Sequence, residues 1–287
     1  MTPLFGDEAF RREHGSYLCN VKPGLPPAHG RPGTCQVCAG PVNVTFTICR
    51  QCEGVRAAAA HDGRPFPIDY LAFLTYAVEG ADLASQTALG QVRETHEREG
   101  RQAYLVLKGY KSAASSSDPL WMTAVAWTAW FLQRWGPWAA WPSRRDDREW
   151  CWATVPSVRS GRQGEHPFHA IVAAVLGSHR EVELRAAAGG GRGFNPNLFS
   201  CGRVPDNAPV LLVDDSWTSG GNLLSAAATL KEAGASSVNA MVLGRLLNPG
   251  AWPPTREFID HDGLRLDFGD GWRPGFDPRR WPWTKVA

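Results

Sequence analysis

Residues 210–222 read VLLVDDSWTSGGN and run on into LLSAAATLKEAGA. Val210, Leu211, Leu212 and Val213 form a short, continuous, apolar run, as expected of a central strand covered on both faces in a parallel sheet. From Leu223 alanines and leucines recur at helical spacing, and Gly234 follows as a stop signal. Asp214, Asp215, Thr218, Ser219, Gly220 and Gly221 therefore occupy the turn between a buried strand and a helix. In open α/β sheets ligands bind beyond the carboxyl ends of the strands, and a helix N-terminus offers free N–H groups to an anion.

Two familiar phosphate loops do not fit. A Walker loop needs Gly-Lys-Ser/Thr, and a dinucleotide fingerprint needs GxGxxG at the helix start. What remains is a loop that presents amides and hydroxyls to a phosphate and carboxylates to something else. Carboxylates repel phosphate, so Asp214 and Asp215 must face neutral donors or a cation. A ribose diol supplies the donors, and Mg²⁺ on a diphosphate supplies the cation. Together they describe a ribose 5-phosphate that carries a diphosphate. A strand-turn-helix whose acids merely cap the helix is the plainer alternative.

Four of the seven cysteines fall as Cys35-Gln-Val-Cys38 and Cys49-Arg-Gln-Cys52. Each CxxC turn presents two thiolates, and two such turns complete the tetrahedral shell of a structural Zn²⁺ with no position left open for chemistry. A segment this short and rich in Pro and Gly cannot build its own core, and metal binding can supply the missing folding energy. Disulfides are the alternative, disfavoured for a cytosolic chain. Cys19, Cys151 and Cys201 are left outside this set. Arg31, Arg50 and Arg56 flank the module, either as a solvated face or as a contact for nucleic acid or protein.

Further along, Tyr104–Leu107 reads as a strand ending at Lys108, and Asp118-Pro119 as the start of a Trp-rich helix whose Trp121, Trp127 and Trp130 belong to the core. Residues 150–157 read as a second strand that ends in VPSVRSGRQ, near the same cleft, where Arg159 and Arg162 suit a diphosphate. The run 186–193, AAAGGGRG, is either a mobile flap or a slack surface loop. The tail after residue 247 is dense in Pro, Gly, Trp and Arg and is expected to be irregular: a strap across the domain, a dimer contact or, less readily, a nucleic-acid tail through Arg279, Arg280, Trp281 and Trp283.

Residues 210–222 resemble the signature of phosphoribosyl pyrophosphate (PRPP) binding in type I phosphoribosyltransferases, with Trp217 and Asn222 in place of smaller and Thr residues. The order of a CxxC–CxxC module, an LK motif at Lys108, a VP loop at Val155-Pro156-Ser157, an RxxNxxxF element at Arg192, Asn195 and Phe199, and this loop is similar to that of the ComF family of competence-associated phosphoribosyltransferase-like proteins. The resemblance implies a type I phosphoribosyltransferase fold, a central parallel sheet flanked by helices, behind a small zinc-ribbon-like module. It implies that Asp214 and Asp215 hold the ribose hydroxyls and that Thr218, Ser219, Gly220 and Gly221 wrap the 5-phosphate. Val155, Pro156 and Ser157, with Lys108 and Arg159, would meet the diphosphate, while Arg192 and Asn195, just beyond the flexible loop, would also bind substrate.

The expected organisation is an N-terminal arm over 1–30, the four-cysteine zinc module over 31–60, the catalytic-type domain over 61–247 and the tail over 248–287. The expected activity transfers 5-phosphoribosyl from PRPP, with Mg²⁺, to a nitrogenous acceptor. The alternatives are a PRPP or nucleotide sensor without turnover and an accessory that handles single-stranded DNA alongside competence proteins; a homodimer is also compatible. A formal charge of +2 is too mild to argue for nucleic acid. MTPLFGDEAFRREHG lacks the order of a secretory signal, and the apolar run from Leu120 to Leu132 falls short of the roughly 18 residues that span a bilayer, so a cytoplasmic protein without a membrane partner is expected.

Overall fold

The computed structural model describes residues 7–14, 33–79, 97–112, 116–135, 149–158, 166–187, 193–250, 253–258 and 283–285. Its centre is a sheet of six strands: β1 (Tyr70–Val78), β2 (Cys151–Thr154), β3 (Arg180–Glu181), β6 (Val210–Trp217), β7 (Val238–Leu247) and β8 (Trp283–Lys285). The order is β3-β2-β6-β7-β1-β8, with five strands parallel and β8 antiparallel on the edge of β1. Two further short strands, β4 (Leu184–Ala186) and β5 (Phe199–Cys201), form a separate antiparallel ribbon.

The chain is α/β because each central strand is apolar on both faces and both faces must be covered. In β6, Leu211 and Val213 pack towards α3 (Glu97–Gly109), α4 (Pro119–Trp135) and α5 (Pro167–Leu176). Val210 and Leu212 pack towards α6 (Gly221–Glu232) and the cysteine segment with α2 (Arg50–His61). Helix α1 (Asp7–His14) seals the first layer by stacking Phe10 on Trp130, ring centroids 4.2 Å apart. Trp127 and Trp130 are buried in this core, as expected, and Asp118 caps α4 by accepting the Leu120 N–H at 2.8 Å.

Three expectations change. Tyr104–Leu107 is not a strand but the last turns of α3, so Lys108 stands on a helix. The residues between 97 and 109 have few β-branched side chains, and Ala103, Val106, Leu107 and Tyr110 are buried together at helical spacing, a pattern a four-residue window cannot separate from a buried strand. The tail is not wholly irregular, since it holds α7 (Pro253–Phe258) and β8. Finally, Asp214 and Asp215 are not in the turn but within β6, which runs on to Trp217, so that the turn is Thr218–Gly220. Beside these changes, Cys35, Val37, Cys38, Ala39, Cys52 and Val55 share one apolar cluster with Leu212, Trp217 and Leu224.

Near the carboxyl ends of β1, β6 and β7, side-chain alternation slips by one residue in all three strands. Phe73 and Tyr76 lie on the same face although strict alternation would separate them, and Val213 and Trp217 lie on opposite faces although it would unite them. Leu243 and Leu247 repeat the second pattern. Because the register continues through the slip, Tyr76, Arg245 and Trp217 become direct neighbours in one row across the sheet. That row is turned towards the cysteine segment.

Candidate functional site

A cleft of about 580 Å³ opens at the carboxyl ends of β2, β6, β7 and β1. Lining it are Asp214 and Asp215, the loop Thr218, Ser219, Gly220 and Gly221, the turn Val155, Pro156 and Ser157, and Lys108. Three stretches far apart in sequence are thus brought to one place. Asn195 is not among the lining residues: its N–H donates to Ser225 Oγ at 2.9 Å and its Oδ1 accepts from Asn197, so it ties the turn before β5 to the back of α6. Arg159 and Arg192, with Arg162 and most of the glycine-rich run, lie outside the described residues.

The turn at the cleft floor is built by Gly220, which caps α6 at φ +79° with the Leu224 N–H bonded to its carbonyl at 2.9 Å. Only glycine takes that φ without strain, and an added Cβ would also overlap the ring of Trp217. Trp217 does not project into the cleft. It is 1% exposed beneath the loop, edge-on to Phe73 at 5.7 Å between centroids. A bulky residue is accommodated here because it supports the loop from the core side.

The two acids are held differently. Asp215 Oδ2 accepts from the Tyr110 hydroxyl at 2.5 Å and pairs with Lys111 Nζ at 2.5 Å. Burial pushes its carboxyl up, but the Lys111 ammonium and these hydrogen bonds outweigh burial and hold it below the usual range. Among the described residues Asp214 has no such direct ion pair, and burial followed by the charge of Asp215 pushes it well above that range. One carboxylate is therefore paired with a cation, and its neighbour is held by backbone N–H groups, that of Asp215 at 2.9 Å, without an ion pair among the described residues. Lys108 is half-buried on the same wall; burial first, then the Lys111 ammonium, lowers its pKa.

Several residues of the cleft were not singled out in the sequence. Lys111 follows Lys108 in LKGYK at one helical turn's spacing, a relation hidden when the segment is taken as a strand. At the β1 end, Glu79 accepts from Asn248 Nδ2 at 2.7 Å and from the Tyr104 hydroxyl at 3.2 Å. His166 lines the opposite end and caps α5, its Nδ1 accepting the Phe168 N–H at 3.2 Å. No local motif announces these, because each is brought in by a different crossover.

Behind the loop, the thiols of Cys35, Cys38, Cys49 and Cys52 lie within 4.8 Å of one another, three buried and one half-buried. Cys38 and Cys49 sulfurs are 3.8 Å apart. A tetrahedron with Zn–S bonds of about 2.3 Å has edges of about 3.8 Å, so the spacing suits a tetrahedral metal ion. The proton balance suits it too. Hydrogen bonds from Cys35, Cys49 and Cys52 hold Cys38 well below the ordinary thiol range, while Cys49 and Cys52 are pushed far above it by having to donate to Cys35 and Cys38. Four sulfurs this close cannot all ionise without a cation among them.

No helix among the described residues is long and apolar enough to cross a membrane. No known family model matches the chain, and no curated protein matches it.

Proposed function

We propose that this chain is a phosphoribosyltransferase of the type I fold, related to the ComF group, which uses PRPP and Mg²⁺ and carries a structural Zn²⁺ on Cys35, Cys38, Cys49 and Cys52. The observation that carries the reading is the single cleft in which the loop 218–221 at the N-terminus of α6, the acids 214 and 215, and the turn 155–157 converge. An anion favours the helix N-terminus, and two hydroxyl donors favour the acids. Thr218 to Gly221 would bind the 5-phosphate. Asp214 would accept from a ribose hydroxyl or sit beside the metal-bound diphosphate, where the extra positive charge offsets its burial.

In the reaction the C1–O bond to diphosphate breaks as a C1–N bond to the acceptor forms. Diphosphate leaves with the bonding electron pair, and the acceptor nitrogen loses its proton. Mg²⁺ bound to the diphosphate would supply charge neutralisation for that leaving group. Lys108 and the backbone of Val155–Ser157 stand on the cleft walls where they would stabilise it, and the ionised Asp215 would face the positive charge that builds on the ribose ring.

A second reading, PRPP binding without turnover, draws on one feature: Asp215 is already engaged by Tyr110 and Lys111. The test is calorimetric titration of PRPP with Mg²⁺ into the wild type and an Asp214→Asn, Asp215→Asn variant. Binding lost in a folded variant supports the site; a wild type that ignores PRPP refutes both readings. Diphosphate release with a panel of nitrogenous acceptors then separates enzyme from sensor.

A further inference from the structure

Arg245 is a buried cation, 8% exposed, near the end of β7. Its Nε donates to the Cys38 carbonyl at 3.1 Å and its Nη2 to the Cys38 sulfur at 3.7 Å. Its Nη1 donates to the carbonyls of Thr218 at 2.8 Å, Leu246 at 2.9 Å and Trp217 at 3.2 Å. One planar group thus grips the first CxxC turn with one edge and the start of the phosphate loop with another. The alternation slip described above puts it there, because unbroken alternation would have turned the side chain to the opposite face.

The fit around the guanidinium is close. A Cβ on Gly40 would overlap Arg245. Next to it Ala39 takes φ +50°, in a region alanine seldom occupies, and its carbonyl accepts the hydroxyl of Tyr76 at 2.7 Å. The CxxC turn is therefore seated on Tyr76 and Arg245, and of these two Arg245 is the one that continues into the loop. Its partners are neutral carbonyls and one sulfur, which compensate a buried cation poorly unless that sulfur carries charge. Four thiolates around a divalent ion carry a net double negative charge, so a filled metal site would fix the guanidinium and an empty one would release it.

We infer that Arg245 is a positioning residue that couples the four-cysteine metal site to the phosphate loop, so that metal occupancy and anion binding at Thr218–Gly221 strengthen each other. The anion half rests on the function proposed above. Such coupling is reciprocal: a ligand in the loop must raise metal affinity by the factor by which the metal raises ligand affinity. A metal site that merely held the fold together would show no dependence on the loop's ligand once the protein is folded.

The experiment uses the full zinc-loaded chain and ribose 5-phosphate as the probe. Zinc affinity is measured by equilibrium competition with a chromophoric chelator, with and without the probe. The expected result is tighter zinc binding by about fivefold or more at saturating probe, at the lower edge of ordinary allosteric couplings. In Arg245→Met the probe's effect disappears while zinc content stays stoichiometric. Arg245→Lys does not restore it, because one ammonium cannot span both carbonyl sets. Tyr76→Phe weakens zinc but keeps the probe's effect. Should Arg245→Met fail to fold, Gly40→Ala displaces the guanidinium by overlap and is expected to lose the coupling likewise.

A wild type that binds ribose 5-phosphate with unchanged zinc affinity overturns the coupling and leaves the proposed function standing. A wild type that does not bind the probe overturns the proposed function. The mechanical link is then read without ligand, by hydrogen exchange at the amides of residues 218–222. Faster exchange in Arg245→Met supports the link, and unchanged exchange overturns it.

Discussion

Replacing Lys111 by Met tests how the cleft keeps a buried carboxylate ionised. The Asp215 side chain is 5% exposed and that of Lys111 23%, with Nζ 2.5 Å from Oδ2. Removing one partner of a fully buried pair costs roughly 3–5 kcal/mol. Water reaches the ammonium here, and Tyr110 would still donate to the carboxylate, so the expected loss is about 2–3 kcal/mol. With a urea slope of roughly 1–3 kcal/mol/M, the unfolding midpoint should fall by about 1 M at neutral pH. The pH dependence carries the sharper test. In the wild type Asp215 is depressed, so its contribution is present above the unfolded carboxylate pKa and is lost as pH falls through the lower folded value. In Lys111→Met only the Tyr110 and Ser216 hydrogen bonds still oppose burial, so the folded pKa rises from its wild-type value and the variant loses less stability than the wild type as pH falls. The gap between the two proteins must therefore narrow as urea titrations are moved from pH 7 towards pH about 4, where carboxylates begin to protonate. A gap of constant size would show that Lys111 stabilises by packing alone. Addition of Asp215→Asn completes a double-mutant cycle, and independent, additive effects would refute the pair.

Asp214→Asn should stabilise the folded protein at neutral pH and abolish binding of Mg²⁺–PRPP. The folded pKa of Asp214 is raised, so the stability its protonated form provides is full below the unfolded carboxylate pKa and is lost as pH rises through the folded value. Thermal melts at pH 5 and 8 should therefore differ less in the variant. Gly220→Ala must hold a positive φ and press on a buried Trp217 ring, so a loss of about 2–3 kcal/mol in urea titration is expected; an unchanged midpoint would mean the loop is not tightly seated. Chelation of zinc, or Cys52→Ser, should lower the melting temperature and empty the site in metal analysis, and a metal-free wild type with an unshifted melt would remove zinc from the account.

The parts legible in the sequence are those encoded within one strand-turn-helix or one pair of turns. The apolar run before Asp214, the Gly220 turn and the two CxxC pairs each contain their own geometry; the four cysteines come together as their spacing suggests, whereas the strand continues through both acids to Trp217, because Asp215 is buried against Tyr110 and Lys111. Lys111 stays hidden because a local error, strand for helix at Tyr104–Leu107, removes the turn that carries it to Asp215. The strand β1 and its neighbour β8 escape assignment for a different reason. YLAFLTYAV is apolar on both faces, so it has no period to read, and the pairing partner of β8 lies across the whole chain. Arg245 carries no signal at all. In MVLGRLL it reads as a charged break in a buried strand, and its meaning depends on a slip in alternation that only the register of three strands reveals.

That slip bears on whether the cleft is a site independently of any resemblance. Local rules are broken in natural folds chiefly where function requires it, because each breach costs about 1–3 kcal/mol that the surroundings must offset. Among the described residues, positive φ outside glycine falls at Asp206 and Asn207, residue types that tolerate it, and at Ala39, which does not. Ala39, the Gly220 turn, the buried Arg245 and Asp214, whose carboxyl burial pushes well above the usual range, all belong to one wedge between the cysteine cluster and the cleft. Central strands built only for stability would place apolar residues at 214 and 245 and keep alternation intact. The concentration of these breaches in one wedge is what the proposed anion site, braced from behind by a metal site, would require, and it marks this end of the sheet on physical grounds alone.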